Sequence, residues 1–195
     1  MRAFNWLTWL GTVLMLVGVI LLAYVLWTER EAAAAQRRAK HWLEQQNAQA
    51  RKSSTTLVPL PSPVLRGDVI GQLEVPRLHL SVAVFEGDDA SILKLGAGHI
   101  PKTALPEESG NIGIAAHRDS YFRALRLIRP DDAIALGTPK GRLGFMVTET
   151  EIVRPSDIQV LAPAPGRDLT LVTCYPFYYV GSAPQRFIVH ARRVE

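Results

Sequence analysis

Two hydrophobic patterns divide the chain. Residues 6–27, WLTWLGTVLMLVGVILLAYVLW, run for 22 positions without a charge. That is about 33 Å of helix, enough to cross a bilayer core of about 30 Å. Trp6, Trp9 and Trp27 mark its two ends, where amphipathic rings favour the boundary between lipid and water. A cleaved signal carries a shorter apolar stretch, roughly 7–15 residues, so the run predicts an uncleaved transmembrane anchor over 6–27. Beyond residue 66 the pattern becomes short alternating or β-rich runs: 69–75, 79–85, 111–117, 132–136, 142–153, 157–161, 169–174 and 186–194. Clusters of Gly, Pro and Asp separate most of them. Short helical turns are expected at 89–95, stopped by Gly96, and at 120–126, stopped before Pro130. About eight short strands with few helices predict an all-β, closed or nearly closed eight-stranded barrel.

Between anchor and barrel the pattern is neither. Residues 28–52 are rich in Ala, Gln and charge, with Trp42 and Leu43 as the large apolar groups. They read as a solvated, partly helical stalk with little to bury. Pro59, Pro61 and Pro63 then favour an extended linker. The domain boundary falls near Arg66, and residues 66–195 suffice for one compact domain.

Charge changes the picture once it is divided. The net +4 lies entirely in residues 1–65, where seven Lys/Arg oppose three Glu; residues 66–195 hold fifteen of each sign. A basic excess beside an apolar span fits anionic headgroups and gives no reason to expect nucleic-acid binding. Arg2 lies on one side of the span and Arg30, Arg37, Arg38 and Lys40 on the other, so the charge count leaves the orientation open.

The candidate chemistry centres on Cys174, the sole cysteine. A free cysteine in a strand often packs as a small hydrophobe. Cys174, however, ends its run immediately before Tyr175 and Pro176, at a rim rather than in mid-sheet. Arg186 opens the next run, so an antiparallel hairpin returns it close to the thiol. Its guanidinium favours thiolate and offers donors to a developing oxyanion. Two histidines qualify as a base: His117, closing the run 111–117, and His190, in the middle of 186–194. His99, near Gly96 and Gly98, reads as a turn residue. The aromatic loop after the thiol, with Tyr175 and Phe177, is expected to wall a substrate groove, or else to plug the barrel end.

Taken together, "NIGIAAHR" (111–118), "TLVTC" (170–174) and "APQRFIVHA" (183–191), in the order His, Cys, Arg behind an N-terminal anchor, resemble the sortases, most closely class D. The resemblance covers about residues 66–195. It implies a sortase-type β-barrel and a membrane-anchored cysteine transpeptidase, with Cys174 as nucleophile, His117 as acid/base and Arg186 as oxyanion and substrate-positioning group. The implied substrates are proteins with a C-terminal sorting signal of the Leu-Pro-x-Thr-Gly type. They are held as a thioester and passed to an amine on the cell envelope or a pilin. The resemblance also implies a single-pass protein of the bacterial cytoplasmic membrane, with residues 1–5 cytoplasmic and the catalytic domain outside.

No Asp-Pro-aromatic lid precedes the domain, which speaks against the pilin-polymerising class. Asp88, Asp89, Glu107 and Glu108 are expected to be solvated surface acids, with no metal and no cofactor. "LPEESG" (105–110) is read as a loop rather than a sorting signal. Two alternatives stay open: a related cysteine peptidase that mainly hydrolyses, and an anchored β-barrel that binds a partner without catalysis.

Overall fold

The structure, a computed structural model, describes residues 6–52, 64–163 and 165–194. Most of the proline-rich linker therefore lies outside the described residues. The elements are α1 (Trp6–Lys52), β1 (Val69–Val75), β2 (Leu80–Glu86), α2 (Ala90–Leu95), β3 (Ala97–His99), β4 (Gly110–Ala115), β5 (Ala133–Thr138), β6 (Gly141–Val153), β7 (Arg167–Tyr175) and β8 (Gln185–Val194). Short 3₁₀ turns lie at Pro76–Leu78, Arg123–Leu127 and Ile158–Leu161.

The strands close into a barrel in the order β1-β2-β3-β4-β7-β8-β6-β5. Two pairs are parallel, β2 with β3 and β4 with β7. Alternation along the strands sends one side chain in two to the interior. Leu169 and Leu171 of β7, Val189 and Ala191 of β8, and Ile112 and Ile114 of β4 are all buried there. Burying each such aliphatic side chain stabilises the barrel by about 1.5–3 kcal/mol.

Two expectations are corrected, and they offset each other in the strand count. Residues 157–161 form a 3₁₀ turn, not a strand. Asp157 turns the chain there by accepting from the Arg154 amide (3.0 Å). The Val160 and Ala162 carbonyls accept from the Asn111 side chain (3.2 and 3.4 Å) instead of a neighbouring strand. His99 is not in a turn but in β3, buried against Glu86 Oε2 (2.7 Å), Thr103 Oγ1 (3.0 Å) and the Ala104 carbonyl (3.0 Å).

The stalk is also corrected. Residues 6–52 form one uninterrupted helix, long and apolar enough in its first half to cross a membrane. Its second half is not a solvated spacer. Ala35, Ala39 and Leu43, spaced at i, i+4 and i+8 on one face, are buried, and the two alanines cluster with Ala83 and Phe85 of β2 and Ile92 of α2. Gln36 fastens the contact: its side chain accepts from the Ala83 amide (2.8 Å) and donates to the Leu95 carbonyl (2.5 Å). Alanine is what allows so close an approach, because a larger side chain would hold the helix away.

Ion pairs secure the periphery. Asp89 caps α2 through the Ser91 amide (3.0 Å) and accepts two bonds from Arg66 (2.7 and 2.8 Å). That hydrogen bonding holds the Asp89 carboxyl well below the usual carboxylate range. Buried Asp132 accepts from Arg77 and from the Arg129 amide (2.9 Å), which likewise lowers its carboxyl.

Candidate active site

Parallel pairing of β4 with β7 puts the C-terminal ends of both strands on one rim. The register runs Gly113↔Thr170, Ile114↔Leu171 and Ala115↔Val172. It persists past β4, because the Ala116 amide donates to the Val172 carbonyl (3.2 Å) and Thr173 Oγ1 donates to the Ala116 carbonyl (2.7 Å). Carried one step further, this register sets His117 opposite Cys174. On the other side of β7, the antiparallel register pairs Cys174 directly with Arg186 of β8. Cys174 therefore occupies the middle of three strands, with imidazole on one side and guanidinium on the other.

All three residues are half-buried, and all three line one cavity of about 460 Å³. Period-two alternation explains why they share a face. Thr173 and Leu171 point into the core, so Cys174 and Val172 face outward. By the same count Arg186 and Ile188 face outward from β8. The floor is thus the outer surface of the sheet, and the 3₁₀ turn supplies the opposite wall through Ile158, Val160 and Leu161. Those side chains come from the segment misread as a strand, and its apolar pattern was the signal for the wall.

Arg186 is oriented locally: Nη1 donates to the carbonyls of Gln185 (3.0 Å) and Ala183 (3.3 Å). The His117 carbonyl accepts from the Phe122 amide (3.0 Å), which fixes the turn that follows β4.

The other expected residues are placed elsewhere. His190 shares the outward face with Arg186 but pairs with Glu151 (2.9 Å). It lines a separate cavity of about 560 Å³ with Asn111 and Thr170, not the one that holds Cys174. Tyr175 and Phe177 do not line the Cys174 cavity either. They stack with Phe187 at centroid separations of 5.3–6.4 Å, and Phe177 and Phe187 pack against the barrel core. Among the described residues no group of three or more His, Cys, Asp or Glu is placed to hold a metal ion.

Comparison with known proteins gives a consistent family signal. A family model described as the sortase domain matches residues 73–194. The chain is similar to sortase D of Bacillus subtilis, 35% identical over 129 residues, which is 66% of this chain and 65% of that relative. Among solved structures, a Clostridium perfringens sortase D5 transpeptidase superposes with a TM-score of 0.67 at 22% identity, over 85% of this chain and 99% of its own. A C. perfringens sortase C, solved with the C-terminal cell wall sorting motif, gives 0.63 at 25% identity, over 80% of this chain and 88% of its own.

Proposed function

The chain belongs to the sortase family, and from that membership we propose that it is a membrane-anchored cysteine transpeptidase in which Cys174, His117 and Arg186 do the chemistry. The observation that carries the reading is the one cavity shared by these three side chains, Cys174 from β7, Arg186 from β8 and His117 from just past the end of β4.

In the first half-reaction the Cys174 thiolate attacks the scissile carbonyl carbon of a sorting signal. Arg186 offers its guanidinium donors to the resulting oxyanion. The C–N bond breaks as His117 gives its proton to the departing amine, leaving a thioester on sulfur. In the second, an incoming amine attacks that carbonyl, the C–S bond breaks with its electron pair on sulfur, and His117 takes the proton. Arg186 stays charged throughout.

The substrate class is a C-terminal sorting signal of the Leu-Pro-x-Thr-Gly type. The aliphatic walls of the cavity, Val153, Ile158 and Ile188 among them, suit the leucine and proline of such a signal better than the aromatic cluster at Tyr175 does. The acceptor is an amine on the envelope or a pilin. Residues 6–27 are assigned as a single bilayer span, residues 1–5 as cytoplasmic and residues 66–195 as an extracytoplasmic catalytic domain.

The test is mass spectrometry of the full-length protein after exposure to a sorting-peptide library. A peptide-derived acyl group on Cys174 is expected, absent in Cys174→Ala with the fold retained. An unmodified thiol across the library refutes the reading in favour of a binding module. Product that never incorporates an added amine refutes transfer in favour of hydrolysis.

A further inference from the structure

The loop that joins Cys174 to Arg186 is held at its tip by one side chain from another part of the barrel. Residues 176–184 connect β7 to β8, and the ladder between the two strands ends at Tyr175↔Gln185. Phe177 seats the start of the loop against the core. The tip lacks such packing, with Tyr178 75% and Val180 95% exposed. What reaches it is Arg118, whose Nη2 donates to the carbonyls of Tyr179 (2.7 Å) and Gly181 (3.0 Å). The Arg118 guanidinium also lies 5.9 Å from the centre of the Tyr179 ring, within the range of a cation–π attraction. Among the described residues, no other side chain makes a hydrogen bond to residues 178–182.

Both ends of this tie lead to the catalytic centre. Arg118 directly follows His117, in the turn that the Phe122 amide fixes by donating to the His117 carbonyl (3.0 Å). At the other end, Gly181 lies two residues before Ala183. The carbonyls of Ala183 and Gln185 are the acceptors that orient Arg186 Nη1 (3.3 and 3.0 Å). Where the tip is held therefore decides where those acceptors stand. An exposed loop with few buried apolar contacts opens at little cost in free energy. Hydrogen bonds from a charged donor, roughly twice as strong as neutral ones, oppose that opening.

We propose that Arg118 is a positioning residue of the catalytic centre: by fastening the loop between β7 and β8 to the segment that bears His117, it sets the orientation in which Arg186 meets the oxyanion. This rests on the transpeptidase reading. Arg118 does not line the Cys174 cavity and takes no part in bond making. Its effect passes through Gly181 and Ala183 to the Arg186 guanidinium.

The test is a double-mutant cycle on full-length protein in lipid nanodiscs, read as the rate of thioester formation on Cys174 with a saturating sorting peptide. Arg118→Ala should lower that rate by about 10- to 100-fold, the scale of a misplaced catalytic group. In the Arg186→Lys background the same substitution should cost less than about threefold, because the group it orients is already gone. A parallel cycle uses Arg118→Lys, which keeps the charge and should lose less, so the test stands even where the alanine variant does not fold. Hydrogen exchange should rise in a peptide spanning residues 177–185 of Arg118→Ala and stay unchanged in β1 and β6.

A wild-type rate in Arg118→Ala overturns the assignment. Losses that multiply in the double variant overturn it too, since Arg118 then acts independently of Arg186. A wild type that forms no thioester overturns the transpeptidase reading, and this inference with it.

Discussion

Gln36→Ala tests whether α1 is part of the folded domain or a tether beside it. Alanine keeps the helix, since it is the best helix former, and removes only the side chain that bridges α1 to the barrel. One backbone group loses its partner, the buried Ala83 amide of β2, which bonds to Gln36 Oε1 at 2.8 Å; the Leu95 carbonyl at the end of α2 loses Gln36 Nε2 at 2.5 Å but keeps the Tyr121 hydroxyl at 3.0 Å. Ala83 is an edge position because β3 pairs with β2 only from Val84 onward, so no neighbouring strand takes over. Leaving one such group unsatisfied costs about 1–3 kcal/mol. Docking of α1 should therefore weaken by about 1–3 kcal/mol. At 1.4 kcal/mol per factor of ten, amide exchange should accelerate by about 5- to 140-fold wherever protection depends on docking. Hydrogen exchange of full-length protein in nanodiscs should show this in peptides spanning residues 80–86 and 33–45. Peptides from β7 and β8 should be unaffected. Exchange in residues 80–86 that stays within about threefold of wild type would refute the claim that Gln36 completes the sheet edge.

Three further outcomes are expected. Gly96→Ala should loosen the same joint by about 1–3 kcal/mol, because a Cβ there would meet the Ala83 carbonyl and Gln36 Nε2 at 2.5 Å and the Phe85 ring at 2.8 Å; limited proteolysis of α1 reports it. Arg186→Lys should lower transfer by about 10²- to 10³-fold, since an ammonium lacks the planar fork, and steady-state turnover on a sorting peptide reads the loss. Asp132→Asn should cost about 1–3 kcal/mol at neutral pH in urea unfolding, as Arg77 and the Arg129 amide lose a charged acceptor. Because the Asp132 carboxyl is lowered by folding, its contribution is present above about pH 4 and disappears as pH falls through the folded value. The variant and the wild type should therefore converge in acid.

The cavity at Cys174 shows how far local pattern reaches. That Cys174 ends a strand and Arg186 begins the next was legible from alternation and Pro176, and hairpin geometry then required them to be neighbours. His117 was different. Nothing local in residues 111–117 says that this strand lies parallel to β7, and only that pairing sets imidazole beside sulfur. Without it His190 stayed a rival, and its ion pair with Glu151 depends on β6 pairing with β8. Of the two readings of the aromatic residues after Cys174, their packing fits the plug at the barrel end, for a related reason. A strand sends successive side chains to opposite faces, so Tyr175 and Phe187 turn toward the barrel interior when Cys174 and Arg186 turn away from it.

By itself the sequence determined a helix long and apolar enough to cross a membrane, because 22 uncharged residues are a local property that needs no partner. It also determined most strands, because period two is a local property of extended chain. The short β3 escaped because three residues, two of them small, carry too little period to be seen. The tertiary structure alone decided what the stalk does. Alanine at 35 and 39 is equally at home on a solvated helix and in a tight interface. Which of the two it serves depends on a barrel surface whose residues lie some fifty positions further along the chain.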